Sequence, residues 1–371
     1  MLRIGITGQN GFIGQHLYNS LGLVPETYKL IDFEKIFFGN EQKLDAFVSQ
    51  CDVIIHLAAM NRHPDPEVIY NTNIELINGL IGACESTNAT PKILFSSSTQ
   101  QENENHYGRS KKEGGLLLSK WAKSSKSSFI SMVIPNVFGP FGKPFYNSVV
   151  ATFCHQLTHG EQPSITGDGM LNLIYVNELV EDIYELITSE VEGEVMIQNR
   201  HSILVSELLL KLEEFKKEYL DEGKFPNLDQ SSFTLALFNT FRCYIEHTHY
   251  PVNFTKHTDN RGSFTEIVRA NTSGQFSYST TKPGITRGDH FHTRKAERFS
   301  VIQGKAKISI RKINTNEVID YYLDGDVPAY VDMPIWYTHN ITNVGTEELI
   351  SLFWINEPYD QENPDTYFIK V

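Results

Sequence analysis

Through the first half of the chain, apolar residues come in short continuous runs: Ile4-Gly5-Ile6-Thr7, Val53-Ile54-Ile55-His56-Leu57-Ala58, Lys92-Ile93-Leu94-Phe95-Ser96 and Ile130-Ser131-Met132-Val133-Ile134. Runs that do not alternate, separated by helical stretches, predict strands buried on both faces of a parallel sheet with helices packed above and below it. From Phe264 onward the pattern changes to closely spaced strands with Gly and Asn turns, such as Ala306-Lys307-Ile308-Ser309-Ile310 and Glu348-Leu349-Ile350-Ser351-Leu352-Phe353-Trp354. That spacing predicts an all-β sandwich or barrel. Between the two lies a predicted helix from Ser206 to Leu220 with Lys211, Glu213, Lys216 and Glu218 on its polar side, then a polar Pro-containing stretch, then a second apolar helix over Phe233 to Phe241. The expected fold class is therefore α/β plus all-β, with one domain over 1–245 and a second over 246–371.

Composition agrees with two domains: 371 residues, 40% of them hydrophobic, can bury more than one core. A net charge of −13 argues against nucleic acid or an anionic membrane as the main partner, since either would be repelled by the average surface. An anionic ligand must be held by a local cluster. The chain starts on a strand pattern without a charged n-region and apolar h-region, and has no apolar run of the ~18 residues needed to span a bilayer, which gives a cytoplasmic expectation. Cys51, Cys84, Cys154 and Cys243 are scattered without CxxC spacing and read as reduced, packed thiols.

The first candidate chemistry is the loop Gly8-Gln9-Asn10-Gly11-Phe12-Ile13-Gly14, which follows the first strand and opens a helix. In a dinucleotide-binding loop of the Rossmann type, the first glycine allows the tight turn and the second lets backbone approach a pyrophosphate. The third packs helix against strand, and the phosphates sit at the helix N-terminus. Asp32 stands about where an acid would bind a ribose 2′-hydroxyl and favour NAD; Lys35 or Arg3 would instead meet a 2′-phosphate. The second is Tyr107-Gly108-Arg109-Ser110-Lys111. Four positions apart on a helix, Tyr107 and Lys111 share a face, and the ammonium is expected to pull the phenol down from about 10 toward neutrality. The preceding Phe95-Ser96-Ser97-Ser98-Thr99 offers hydroxyls to a substrate carbonyl.

With His56-Leu57-Ala58-Ala59 and Ile134-Pro135-Asn136-Val137-Phe138-Gly139-Pro140, these motifs resemble an extended short-chain dehydrogenase/reductase over roughly residues 1–200. Gly167-Asp168-Gly169 followed by Ile174-Tyr175-Val176-Asn177-Glu178-Leu179 resembles the substrate lobe of its nucleotide-sugar branch. The resemblance implies Tyr107 as proton donor, Lys111 on the nicotinamide ribose and Ser98 on the keto oxygen, with Leu57 and Ala58 beside the cofactor. The gap of nine residues from Ser98 to Tyr107 is short for the branch, so Thr99 stands as an alternative to Ser98.

In the second half, Gly284-x5-His290-x-His292-x4-Glu297-x6-Gly304 places two histidines on one strand face, with a carboxylate past a turn. His339 from a distant strand would complete a three-nitrogen, one-oxygen shell suited to Zn²⁺, Fe²⁺ or Mn²⁺, with zinc preferred. The set resembles the first motif of the cupin family. The second motif is matched in part: Pro334 and Asn343 keep their offsets from His339, while Trp336 and Pro328 replace usual glycines. His247-Thr248-His249 has no supporting carboxylate and reads as solvated linker.

Asp259-x-Arg261-Gly262-Ser263-Phe264-x-Glu266, Phe276-Ser277-x-Ser279 and Arg287-Gly288-x-His290 further resemble the deoxy-nucleotide-sugar 3,5-epimerases. In those cupins the histidine matching His290 is the base. Here His290 also belongs to a ligand set, which leaves Tyr278, Glu266 or Asp289 as bases. The whole arrangement resembles bifunctional capsular polysaccharide enzymes of the UDP-N-acetyl-L-fucosamine pathway. That resemblance implies a UDP-sugar substrate, NADPH, a divalent metal and a homodimer.

Overall fold

The computed structural model describes residues 1–228, 231–259, 262–265, 267–268, 270, 274–357 and 360–371, with backbone alone for 256–259 and 262–265. Arg261 and Glu266 of the epimerase-like motif lie outside the described residues, so nothing is assigned to Glu266 as a base. The chain divides into two compact units: Met1–Phe138 with Phe145–Ser148 and Gly169–Leu204, and Gly139–Pro144 with Val149–Asp168 and Val205–Val371. These limits differ from the sequence boundary at 245/246, because the helical segment from Val205 groups with the barrel. No helix among the described residues is long and apolar enough to cross a membrane.

The parallel sheet expected from the apolar runs forms the first unit. Its strands are ordered Tyr28–Ile31, Leu2–Thr7, Val53–His56, Lys92–Ser98, Phe129–Ile134 and Gly193–Met196, all parallel. Continuous hydrophobicity is needed because both faces are covered. On one, Ile4, Ile6, Ile55, Leu94 and Met132 meet Leu17 of helix Phe12–Leu21 and Leu179 and Ile183 of helix Val176–Thr188. On the other, Ile54, Ile93 and Phe95 meet Phe47, Leu80, Leu118 and Trp121 from three helices. Strand Leu2–Thr7 pairs with the second strand on one side and the third on the other. The order therefore reverses there, and a crevice opens at the carboxyl ends of the strands, where such folds bind ligands.

The second unit is antiparallel β with helical cover. One five-stranded sheet runs Val252–Asn253, Ala329–Met333, Glu297–Gln303, Leu349–Ile355, Gln275–Thr281; the other runs Val318–Asp324, Lys305–Lys312, Tyr337–Asn343, Thr286–Phe291, Tyr367–Phe368. Val301, Val331 and Leu349 of the first share a core with Ile308, Ile310, Leu323 and Ile341 of the second. The predicted helix from Ser206 is observed as Val205–Phe215 continuing into a π-turn at Lys216–Asp221. Its partner is Ser232–Arg242, whose N-terminus is capped by the Ser231 side chain accepting from Thr234 N–H.

A buried ion pair joins these helices to the barrel. Arg298 on Glu297–Gln303 grips Asp332 on Ala329–Met333 through Nε and Nη2 at 2.8 and 2.9 Å, and the Tyr219 hydroxyl donates to the same carboxylate. The Arg298 guanidinium stacks 3.6 Å from the Tyr330 ring centroid, and its Nη1 donates to the Gly223 carbonyl. His247, expected to be solvated, is half-buried instead. Its ring packs edge-on to Tyr337 and lies 3.5 Å from the hydroxyls of Tyr321 and Tyr337. The segment after Arg242 runs along the barrel rather than across solvent.

Candidate active site and metal centre

The glycine loop is built as its spacing requires. Gly8 has φ +79°, and a Cβ there would lie 2.9 Å from Ala58 N, so the loop rests on Leu57-Ala58 after the third strand. Gly11 N–H donates to the Gly8 carbonyl at 2.9 Å, and a Cβ on Gly14 would come within 2.1 Å of that carbonyl oxygen. Helix Phe12–Leu21 starts with no side-chain cap and no acid in its first turn, which leaves its first N–H groups, from Phe12 onward, open to an anion. Ile13 faces the core.

Asp32 directly follows strand Tyr28–Ile31, and its carboxylate accepts from the Tyr18 hydroxyl at 3.1 Å. Lys35 lies nearby on the turn Lys35–Gly39. Arg3 does not reach this end of the sheet: it sits at the start of its strand, paired with Asp52 at 2.6 Å.

Helix His106–Ser125 opens on Asn105, whose side chain accepts from Gly108 N–H, and this cap sets Tyr107 in the first turn. The Tyr107 phenol lies close enough to Ser98, at the end of strand Lys92–Ser98, for that hydroxyl to lower its pKa. One turn on, Lys111 is 3% exposed, with its ammonium 5.7 Å from the Tyr107 ring centroid and donating to the Ser96 carbonyl at 2.7 Å. The structure thus brings Tyr107, Ser98 and Lys111 together, while Thr99 is exposed on the following turn.

The expected lowering of the phenol is not found. Burial, reinforced by Tyr146, pushes Tyr107 up to about 12, and the Ser98 hydrogen bond offsets this only in part. Lys111 does not reverse it, because its proton is committed to Ser96 and burial takes its own pKa from 10.5 down to about 7. Between these values the unfolded chain binds more protons than the folded one, so this site adds stability as pH rises from about 7 to about 10. In thermal melts without cofactor, the wild type should gain on Lys111→Met across that window. A Tm difference independent of pH would refute the desolvation of Lys111.

Two groups here, Asn73 and Arg62, escaped the sequence reading, and a third, His56, entered it only as part of a motif, without a role. Asn73 of helix Pro66–Thr87 clamps Met60 through both its N–H and its carbonyl, and also donates to Ser110, which fixes the loop after the third strand against the tyrosine helix. Arg62 lies over the Tyr146 ring and donates to the Phe145 carbonyl at 3.0 Å. His56 pairs with Thr7 at 2.8 Å and is held neutral, lowered to about 3 by burial and by Lys111. An isolated Asn in an amphipathic helix is the one available signal, and it names no partner.

In the barrel, ligand atoms of His290, His292, Glu297 and His339 all lie within 4.8 Å of one another. Register explains the convergence: His290 pairs with His339 across neighbouring strands, after a bulge between Gly288 and His290 that carries Asp289 at φ +60°. Glu297 begins a strand of the facing sheet. Its Oε2 meets His292 Nε2 at 3.3 Å and His339 Nε2 at 3.1 Å. Burial raises Glu297, but the two histidines more than offset that and hold it well below the usual carboxylate range. Burial, with His339 beside it, lowers His290 to about 4 and keeps it neutral.

The surroundings orient these groups. His292 Nδ1 donates to the Asp365 carbonyl, which turns the Nε2 lone pair toward the cluster. The Asp365 carboxylate accepts from the backbone N–H groups of Thr293, Arg294 and Lys295 and so fixes the turn between His292 and Glu297. Trp336, in place of a usual glycine, takes the left-handed φ of +61° such a glycine would supply, and its buried indole stacks on Phe291. The donor set fits a divalent cation: three imidazoles, one ionised carboxylate and a backbone carbonyl that orients one of the rings. Tyr278 is 71% exposed, on the opposite strand face from Ser277 and Ser279. Asp289 accepts from Asn340 Nδ2 at 2.8 Å.

Residues 4–197 match the NAD dependent epimerase/dehydratase family, and residues 257–367 match the polysaccharide biosynthesis C-terminal domain. The UDP-2-acetamido-2,6-beta-L-arabino-hexul-4-ose reductase of Pseudomonas aeruginosa is 32% identical over 381 residues, covering 100% of this chain and 99% of that protein. The crystal structure of the capsular polysaccharide assembling protein CapF from Staphylococcus aureus superposes with a TM-score of 0.62 at 34% identity, covering 99% of this chain and 100% of that one. CapF with the inhibitor 3-isopropenyl-tropolone gives 0.59 at 31% identity, with 100% of both chains covered. With a dinucleotide loop, a Tyr-Ser-Lys set and these matches along its whole length, the chain belongs to the NAD-dependent epimerase/dehydratase family, in a branch carrying a polysaccharide biosynthesis C-terminal domain.

Proposed function

We propose that the protein is a bifunctional nucleotide-sugar enzyme with an extended dehydrogenase module over 1–245 and a cupin module over 246–371. The cupin epimerises C3 of a UDP-2-acetamido-2,6-dideoxy-hexos-4-ulose. The dehydrogenase then reduces C4 with NADPH to give UDP-N-acetyl-6-deoxy-L-talosamine, a capsular polysaccharide precursor. The observation that carries this reading is the Tyr107 phenol beside Ser98 at the carboxyl end of the sheet, with buried Lys111 one turn away. The match to a 4-keto UDP-sugar reductase along the whole chain supports the substrate class. We place the enzyme in the cytoplasm, as a homodimer.

A ketone at C4 acidifies the protons on C3 and C5, so a neighbouring centre is inverted while the ketone exists, and reduction then traps the product. The reduced nicotinamide supplies the hydride. Glycines 8, 11 and 14 admit its pyrophosphate, Lys111 holds its ribose, Ser98 orients the keto oxygen and Tyr107 delivers the proton to that oxygen. A divalent cation, zinc by preference, is held by His290, His292, Glu297 and His339 and supplies Lewis acidity. The buried, oriented donor set supports that role.

Incubation of 4-keto UDP-sugars in D₂O without nicotinamide cofactor should place deuterium at C3, detected by NMR, and His292→Ala should lose both bound metal and exchange. Parallel turnover with NADPH and NADH identifies the reductant. Wild-type protein that exchanges nothing removes the epimerase half. The second reading would then stand: a 4-keto reductase whose cupin is a metal-stabilised dimerisation module, favoured by Tyr278 facing outward and Asp289 being engaged by Asn340.

A further inference from the structure

The geometry points to a binding site for a small singly charged anion, a halide or a carboxylate head group, at Arg242 where helix Ser232–Arg242 meets the barrel. Arg242 is 5% exposed and makes one hydrogen bond, from Nη2 to the Met333 carbonyl at 2.7 Å. Its Nε and Nη1 are buried with no hydrogen-bond partner among the described residues. The Tyr219 ring lies 5.9 Å from the guanidinium and its hydroxyl helps to raise the Arg242 pKa, but that hydroxyl donates to Asp332 and makes no hydrogen bond with Nε or Nη1. Three N–H hydrogens of a charged group are therefore left without an acceptor, where buried donors are nearly always satisfied.

Arg242 also lines a small pocket with Cys243, His247, Tyr250, Asp332 and Tyr337. The cavity is about 20 Å³, room for an atom-sized guest or the head of a small planar acid rather than a phosphoryl group. Charge favours an anion over water. Arg242 and Arg298 are two buried cations beside a single carboxylate, and Asp332 is already gripped by Arg298 on both oxygens, so one positive charge is uncompensated. Tyr250, Tyr337 and His247 complete the polar part of the lining. This site lies within the second unit and uses none of the histidines or Glu297 of the metal-binding set. An anion there would tie the helical cover to the strands through Arg242.

The test uses crystals of the full chain soaked in sodium bromide and measured at the bromine edge. An anomalous peak is expected within hydrogen-bond distance of Arg242, and a planar guest is expected in the same place after a formate soak, which separates halide from carboxylate. In solution at fixed ionic strength, bromide and formate should each raise Tm saturably by a few degrees, and Arg242→Gln should abolish the anion-dependent rise while Arg242→Lys keeps part of it. A pocket holding only water after the bromide and formate soaks overturns the proposal, as does an Arg242→Gln protein with the wild-type anion response. If Arg242→Gln does not fold, the soaks of the unmodified protein decide.

Discussion

Replacing Tyr107 with phenylalanine is expected to lower the rate of ketone reduction by about 10²- to 10⁴-fold, the usual contribution of a positioned proton donor. The change removes one oxygen from a buried ring and leaves Asn105, Ser98 and Lys111 in place, so fold and cofactor affinity should persist. The high phenol pKa matters here: a group pushed up to about 12 is fully protonated at neutral pH, the state a reductase needs in its donor. Solvent deuterium exchange into the substrate should survive, because its chemistry is assigned to the barrel. A Tyr107→Phe enzyme that retains more than about a tenth of wild-type turnover, followed by nicotinamide absorbance, would end the claim for this residue.

The other large effect concerns stability. Asp332→Ala should cost about 3–5 kcal/mol, because it leaves the buried Arg298 guanidinium without its counter-charge. The two side chains are 2% and 0% exposed, so water cannot substitute, and Tyr219 loses its acceptor at the same time. Trp336 and Trp354 both report on this unit, and denaturant titration followed by tryptophan fluorescence measures the loss. Replacing both partners by Arg298→Met and Asp332→Leu should recover much of it, since matched apolar groups need no counter-ion. A single Asp332→Ala variant as stable as wild type would mean that the pair contributes nothing.

Features that were legible in the sequence are those whose geometry is local. Gly8, Gly11 and Gly14 act through a turn and the first helical turn, Tyr107 and Lys111 through one turn of helix, and His290 and His292 through strand alternation. His339 was reachable because an incomplete ligand set calls for a fourth member. Residues that depend on distant partners were not. Asn73 and Ser110 are 37 positions apart, Arg298 and Asp332 are 34, and His292 and Asp365 are 73. Apolar periodicity tells which face of an element is buried, but not what lies against it. Tyr107 failed for a related reason: proximity to a lysine is visible in the spacing, whereas the burial that outweighs it is not.

The division of the chain also limits how the protein can be cut. The path leaves one unit for the other after Phe138, Pro144, Ser148, Asp168 and Leu204, so no single break separates them. A barrel produced from residue 246 onward would lack Tyr219 and Phe225, which cover the Arg298–Asp332 pair and, through Phe225, Trp354, and would lack Arg242, which holds the Met333 carbonyl. Its bare flank would present a charged pair among unshielded aromatics, a surface prone to self-association. Recombination or engineering that swaps sugar specificity between homologues should therefore carry the Val205–Cys243 segment with the barrel it shields.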